Sequence, residues 1–189
     1  MDVRNPRTGK PDVTVETTDP ANLAEICRGL ALAQPDWAAR SWQERVEILE
    51  IWVAAVTADT ELLQALSKDT GRYRLAAGEI GGVPFVLSQW SRFAADVFVE
   101  PPSAALLADP DVSFTTQLFP YPVVGVISPW NFPLLLSLLD SLAALVAGCA
   151  VIVKPSEITP RFVAPLQKTI EAIPELCDVF AFVVGDGVL

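Results

Sequence analysis

Residues 122–160, PVVGVISPWNFPLLLSLLDSLAALVAGCAVIVKPSEITP, alternate between apolar runs and polar turns. The short runs 123–127 and 150–153 are wholly apolar, which is typical of parallel strands that are buried on both faces. Between them, residues 133–147 begin with proline and are followed by glycine, a pattern that indicates a helix. A strand, a helix and a second strand form the unit from which parallel sheets are built.

The alternation continues towards the end of the chain. Thr159 precedes a proline and an apolar pattern of helical period, so it is the predicted N-cap of a further helix. Residues 179–184 predict a third strand. The sequence therefore predicts an α/β fold, in which amino-terminal helices precede the first half of a doubly wound parallel (Rossmann-like) sheet, with one extended β arm.

Helical patterns fill most of the chain before this region. Asp19, Ser41 and Thr60 each precede apolar residues at helical spacing and are the predicted N-caps of three helices. Glu44 lies three residues after Ser41, as a capping box requires. Gly71 is the predicted end of the third helix.

A fourth helical pattern and an extended segment follow. Residues 73–98 keep the helical spacing, but Gly81, Gly82 and Pro84 interrupt it, so we expect a kink or a break there. Apolar and polar residues alternate over 112–119, which predicts a half-exposed strand that pairs with another arm or lies at a sheet edge. The predicted organisation has three parts: an amino-terminal helical part (1–110), an extended β arm (111–122) and a partial Rossmann-like half (123–189).

Composition argues against several classes of function. The 189 residues carry a net charge of −10, and nucleic-acid phosphates would be repelled by such a protein. There is no histidine, which excludes His-based triads and most zinc sites, so no metal site is predicted. Cys27, Cys149 and Cys177 fit no CxxC pattern, and the amino terminus lacks a signal peptide's apolar segment. These features favour the cytoplasm.

One apolar stretch raises the question of a membrane span. Residues 134–153 are long enough to cross a bilayer and contain a single charge, Asp140. An aspartate near the middle of a span costs about 2.5–3.5 kcal/mol on insertion scales. Gly148 also divides the stretch into a helix-like and a strand-like piece. We therefore expect no membrane partner.

Two polar turns follow the first two predicted strands. Because ligands bind at the carboxyl ends of parallel strands, turns after neighbouring strands should face one crevice. In the second turn, Lys154 is suited to a ribose hydroxyl or a phosphate, and Glu157 can accept hydrogen bonds from both ribose hydroxyls. A carboxylate there would repel a 2′-phosphate, which favours NAD over NADP.

The first turn carries an amide and an aromatic residue. Asn131 lies beside a helix start, where its amide could donate a hydrogen bond to an oxyanion, and Trp130 could line a nucleotide slot. Each residue also has a purely structural interpretation: Lys154 and Glu157 could form a surface ion pair, Asn131 an N-cap and Trp130 a core aromatic. The G-x-G-x-x-G fingerprint of ordinary dinucleotide-binding folds does not follow the first strand.

The segments VVGVISPWNFPLLL and AGCAVIVKPSEITP resemble the aldehyde dehydrogenase superfamily, whose pattern joins a Pro-Trp-Asn-Phe-Pro turn to a later Lys-Pro-Ser-Glu-x-Thr-Pro turn. NPRTGK, AQPDWAARSWQERVEIL, DTGR and VVGDG resemble further segments of the family. The resemblance covers nearly all of this chain, but only the first part of a full family member.

The resemblance implies that an aldehyde is oxidised to a carboxylic acid by thiolate attack, hydride transfer to NAD and thioester hydrolysis. Asn131 would donate a hydrogen bond to the thiohemiacetal oxyanion. The expected partners are an aldehyde and further copies of the chain in a homo-oligomer, and the resemblance implies that the extended arm at 111–122 is used in oligomerisation. The residues expected to contact the cofactor are those of the two turns: Ser128, Pro129, Trp130, Asn131, Lys154, Pro155, Ser156 and Glu157.

The chain departs from the family pattern in its cysteines. The family's nucleophilic cysteine and base glutamate match positions beyond Leu189, and Cys27, Cys149 and Cys177 match no catalytic motif. The alternative expectation is therefore a truncated, non-catalytic family member that binds nucleotide or oligomerises.

Overall fold

The computed structural model describes residues 1–99, 104–106, 109–187 and 189. The amino-terminal part begins with a hairpin of two antiparallel strands and continues through helices. The hairpin consists of β1 (Asp2–Arg4) and β2 (Pro11–Thr14). The helices that follow are α1 (Pro20–Ala38), α2 (Trp42–Ala58), α3 (Thr60–Thr70) and α4 (Tyr73–Val97).

The hydrogen bonds at the first two helix starts confirm the sequence prediction. Asp19 accepts a hydrogen bond from the backbone two residues later, and Ser41 and Glu44 form the complete capping box. Gly71 ends α3 with a φ of 67°, a left-handed conformation that favours glycine.

Two expectations about the helices are wrong. Asp59, not Thr60, caps α3, because the Asp59 carboxylate accepts hydrogen bonds from the backbone at residues 61 and 62. α4 is one continuous helix through Gly81, Gly82 and Pro84, so the expected break does not occur, and a kink there stays a prediction. Its apolar side packs against α2, α3 and α5, and this packing holds the helix together.

A second hairpin and a parallel sheet follow α4. β3 (Ala104–Leu106) pairs antiparallel with β4 (Asp109–Phe114). The sheet has β6 between β5 and β7, and both pairs are parallel. This arrangement confirms the predicted α/β fold class. The alternating elements are β5 (Val123–Ile127), α5 (Pro133–Ala147), β6 (Ala150–Lys154), α6 (Val163–Glu171) and β7 (Phe180–Phe182).

The strands differ from prediction in extent and burial. The strand predicted at 112–119 spans 109–114 and belongs to a hairpin, because the ladder ends where Phe114 meets Ala104. The third strand of the sheet is shorter than predicted. β5 is not buried on both faces: it lies at an edge of the described sheet, and Ile127 is 84% exposed.

The start of α6 also differs from prediction. Phe162, not Thr159, is the N-cap residue, and no side chain caps this helix. Residues 157–162 form turns in which the backbone N–H of Thr159 donates to the carbonyl of Ser156. The Thr159 hydroxyl is buried and finds no partner among the described residues.

Side chains from α1 and α2 hold the carboxyl end of α5. Gln34 donates to the carbonyl of Gly148 at 2.8 Å, and Trp37 donates to that of Leu145 at 2.9 Å. Arg45 donates to the carbonyl of Val146 at 3.0 Å. The Leu145 carbonyl also accepts the backbone N–H of Gly148, so Trp37 adds a second bond there. The bonds from Arg45 and Gln34 satisfy the carbonyls of Val146 and Gly148, which would otherwise be buried at the helix end without a partner.

The division into three parts at 110 and 122 stays a prediction, and residues 100–103, 107, 108 and 188 lie outside the described ranges. Among the described helices, none combines the length and the apolar character that a membrane span needs.

Candidate functional site

The two polar turns begin side by side at the carboxyl edge of the sheet. We call residues 128–132 the first turn and residues 154–159 the second turn. In the parallel ladder Ile127 lies opposite Lys154, and the backbone N–H of Ser128 donates to the carbonyl of Lys154 at 3.1 Å. The sequence predicted this adjacency, and it brings both sets of candidate residues to one edge of the sheet.

The start of the first turn is fixed by a buried hydroxyl chain. Ser128 is 5% exposed, and its Oγ lies 2.6 Å from Oγ of Ser137 in α5. Because Ser137 donates its own proton to the carbonyl of Pro133, Ser128 is the donor in this pair. The Ser128 hydroxyl is therefore bonded within the protein, and this bond connects the first turn to α5.

The end of the first turn is fixed from α4. Leu134 and Leu135, at the start of α5, donate their backbone N–H groups to the same Glu79 oxygen at 3.0 and 3.1 Å. Glu79 is 2% exposed, and its Oε1 has no hydrogen-bond partner among the described residues. Burial raises the pKa of Glu79 to about 7, although the hydrogen bonds from Leu135 and Leu134 oppose the rise.

The middle of the first turn is exposed. Pro129, Trp130 and Asn131 all reach the surface, and the Trp130 side chain is 55% exposed, so it is not a core aromatic. Trp130 and Asn131 line a cavity of about 450 Å³ together with Ile158 and Thr159 of the second turn. The structure thus brings part of both turns to one cavity.

The second turn carries the charged pair. Lys154 Nζ lies 4.0 Å from Glu157 Oε2, which is a loose ion pair beyond hydrogen-bond distance, and Glu157 is 46% exposed. Pro155 is buried, and the Ser156 hydroxyl accepts a hydrogen bond from the backbone N–H of Ile158 at 3.2 Å. The Lys154–Glu157 contact matches in part the surface ion pair that the sequence left open. Because the contact is weak, the Glu157 carboxylate stays accessible.

Lys154 faces a different cavity from Asn131. A cavity of about 420 Å³ at the strand ends is lined by Lys154, Ile127 and Gly187, and by Cys27 from α1. The expectation of one shared crevice is therefore met only in part. The turns are neighbours, but Trp130 and Asn131 line one cavity and Lys154 lines the other.

A buried ion pair holds the segment that follows the second turn. Arg161 donates to Asp69 of α3 at 2.8 Å and to the carbonyl of Val3 at 3.1 Å, and it also contacts Asp12. Burial raises the pKa of Asp69 to about 6, although the hydrogen bond and the charge of Arg161 act in the opposite direction. Sequence reasoning missed Glu79 and Arg161, because no local pattern marks partners 55 and 92 residues away.

The three cysteines lie in different surroundings. Cys149 is buried, Cys177 is exposed, and Cys27 is partly buried. Burial raises the pKa of both Cys149 and Cys177, which disfavours the reactive thiolate. Within the described part of the chain, no group of three His, Cys, Asp or Glu side chains is placed to hold a metal ion.

Comparison with known proteins decides the family. The sequence profile of the aldehyde dehydrogenase family matches residues 1–188. The chain belongs to the aldehyde dehydrogenase family. Among solved aldehyde dehydrogenase structures, PutA from Anabaena variabilis, provisionally named an aldehyde dehydrogenase, is 42% identical with a TM-score of 0.93. The match covers 100% of this chain and 40% of PutA.

Aldehyde dehydrogenase relatives with named substrates cover a similar share. A Mycobacterium tuberculosis protein, provisionally named succinate-semialdehyde dehydrogenase (NADP+) 2, is 36% identical over 156 residues, which are 81% of this chain and 30% of the relative. The 2-hydroxymuconic semialdehyde dehydrogenase of Pseudomonas sp. is 34% identical over 188 residues, 97% of this chain and 38% of the relative. The chain thus spans between 30% and 40% of the length of these relatives.

Proposed function

We propose that this chain supplies part of the site of an NAD-dependent aldehyde dehydrogenase that oxidises an aldehyde to a carboxylic acid. The observation that carries the proposal is the parallel register of Ile127 with Lys154, which brings the two turns together at the carboxyl edge of the sheet. Ligands bind at that edge in open α/β sheets. The two turns are proposed to have different roles in binding.

The second turn is proposed to hold the cofactor. Its residues fit an adenosine ribose, because Glu157 is accessible and its carboxylate is only loosely paired with Lys154. Lys154, Ser156 and Glu157 would contact the ribose, and Pro155 would fix the backbone between them. When bound, the dinucleotide accepts a hydride from the substrate. The mycobacterial relatives are named for NADP+, but a carboxylate at 157 would repel a 2′-phosphate, so we propose NAD.

The first turn is proposed to hold the reacting carbonyl group. Asn131 lies just before α5, so its amide and the positive end of the helix both favour a developing negative charge. Pro129 and Trp130 would line the cleft beside the cofactor, and buried Ser128 would hold the turn in place. A donor that acts on a transition state must be fixed in advance, and this turn is fixed at both ends.

The proposed partners are an aldehyde and further copies of the chain. The relatives named above act, by their names, on semialdehydes, so substrates of that class are the first to test. Five large apolar side chains in and after β4 are exposed, as an oligomerisation arm would require: Val112, Phe114, Leu118, Phe119 and Tyr121. The three unpaired cysteines fit a reducing compartment, and we propose the cytoplasm.

Reduction of the cofactor by aldehydes tests this proposal. The natural gene product is mixed with NAD or NADP and with a panel of aldehydes that includes succinic semialdehyde and 2-hydroxymuconic semialdehyde. We expect aldehyde-dependent NADH formation, with NAD preferred to NADP. Absence of turnover with both cofactors would overturn the dehydrogenase proposal, and NAD binding without turnover would favour the non-catalytic alternative.

A further inference from the structure

Both ends of α5 are held by side chains from other helices. At the carboxyl end, residues of α1 and α2 donate to the last carbonyls, as described above. At the amino end the acceptor is Glu79 of α4. α5, which follows the first turn, is therefore attached at both of its ends to the amino-terminal helices α1, α2 and α4.

The amino end of α5 cannot supply its own cap. Phe132 occupies the N-cap position without a capping hydrogen bond, and Pro133 has no N–H group. The N–H groups of Leu134 and Leu135 would otherwise be unpaired at a buried helix start. A single oxygen of Glu79 accepts both hydrogen bonds, in the geometry that an N-cap side chain normally supplies from within the helix.

We propose that Glu79 is a positioning residue for Asn131. Glu79 fixes the backbone at the start of α5. Through Phe132 and Pro133 it also fixes the exposed side-chain amide of Asn131, which precedes this helix. The proposal rests on the role of Asn131 given above. Glu79 is 2% exposed, so it acts through the backbone of α5 and does not touch the substrate. Its loss should lower kcat and leave the KM for NAD little changed.

The chemistry of the Glu79 side chain suggests a conservative variant. The amide oxygen of glutamine can accept the same two hydrogen bonds, whereas alanine offers no acceptor. Glu79→Gln should therefore preserve the position of the turn, and Glu79→Ala should release it. Glu50→Ala is the matched control, because it removes an exposed carboxylate from α2, another helix.

Amide hydrogen exchange at Leu134 and Leu135 tests the contact without any need for activity. We expect Glu79→Ala to speed exchange at these two amides about ten-fold or more, since both amides lose their buried hydrogen-bond acceptor. Glu79→Gln and Glu50→Ala should stay within about three-fold of the original protein. Unchanged exchange in Glu79→Ala would overturn the proposal, whether or not the protein oxidises aldehydes.

A double-mutant comparison tests whether the effect passes through Asn131. In the protein as produced from its gene, Glu79→Ala should lower kcat about ten-fold or more, and Glu79→Gln about two-fold or less. In the Asn131→Ala background, Glu79→Ala should cost about two-fold or less. Equal losses in both backgrounds would overturn the positioning role. Should Glu79→Ala fail to fold, Glu79→Asp, whose shorter side chain does not reach both amides, takes its place with the same expected outcomes.

Discussion

The two turns at the carboxyl edge of the sheet are fixed in different ways. The first turn is bonded at both ends, by Ser128 to Ser137 and by Glu79 to the start of α5, and its exposed residues project between these points. The second turn carries a loose pair of long charged side chains, and its firm attachment comes only afterwards, at Arg161. A donor to a transient charge needs a fixed position, whereas ribose contacts can be made by side chains that adapt.

The largest effect is expected from Arg161, which anchors the segment after the second turn. Arg161→Ala leaves the buried carboxylate of Asp69 without its cationic partner and should lower the free energy of unfolding by about 3–5 kcal/mol. Urea denaturation measures this loss. The control is Lys168→Ala, which breaks the exposed pair with Glu61 and should cost less than about 1 kcal/mol. Similar losses in both variants would show that the Arg161 pair is not an anchor.

The next effect concerns the first turn. Removal of one oxyanion donor lowers kcat by about 10²–10³ in enzymes where it has been tested, and we expect a loss of this size for Asn131→Ala. Steady-state kinetics of the protein as produced from its gene, with a semialdehyde and NAD, measure it. A change in the KM for NAD with unaltered kcat would instead assign Asn131 to cofactor binding.

The buried carboxylate of Glu79 predicts a pH effect of intermediate size. The pKa of Glu79 is raised from 4.5 to about 7 in the folded protein, so the folded state holds a proton that the unfolded state loses. Stability from protonated Glu79 is complete below pH 4.5 and is lost as the pH rises through 7. Relative to Glu79→Gln, the free energy of unfolding should fall by about 2–3 kcal/mol between pH 5 and pH 8.

Denaturation of the two proteins at several pH values measures this difference. Other titrating groups, including Asp69, are common to both proteins and cancel in the comparison. A difference that stays constant with pH would show that Glu79 has the same pKa folded and unfolded. A free energy of unfolding that rises with pH relative to Glu79→Gln would show that the two hydrogen bonds to Glu79 outweigh the effect of its burial.

The smallest effect is expected from Glu157 in the second turn. Glu157→Ala should weaken NAD binding about ten-fold, because hydrogen bonds to a charged acceptor are lost, and should weaken NADP binding less. Equilibrium titration with each cofactor measures both changes. Glu175→Ala, which removes another exposed carboxylate, controls for net charge. Equal losses for NAD and NADP would remove Glu157 from the ribose.

Sequence reasoning succeeded where the determinants are local. The apolar runs that became β5 and β6 lie next to their turns in the chain, and the capping box at Ser41 needs only four residues. The adjacency of the two turns followed from these runs and from the rule for parallel sheets. Family membership followed from motifs that lie within the same 39-residue stretch quoted at the outset, residues 122–160.

The failures concern contacts between distant residues and competition among neighbours. Asp59 and Thr60 are adjacent and both are favourable N-cap residues, and the Asp59 carboxylate is the one that accepts the backbone hydrogen bonds at the helix start. The contacts of Glu79 with α5 and of Arg161 with Asp69 join elements far apart in the chain, and no spacing rule marks them. Lys154 lines a different cavity from Trp130 and Asn131, which depends on side-chain direction at the strand ends, and residue type alone does not fix that direction.

The central claim is that both turns belong to one cofactor-dependent site, and hydrogen exchange with and without NAD tests it most directly. The protein as produced from its gene is compared with and without saturating NAD, and protection is mapped along the chain. The account predicts slower exchange in both turns, at residues 128–132 and 154–159, and little change in the β1–β2 hairpin. Protection of one turn alone, or of neither, would contradict the account.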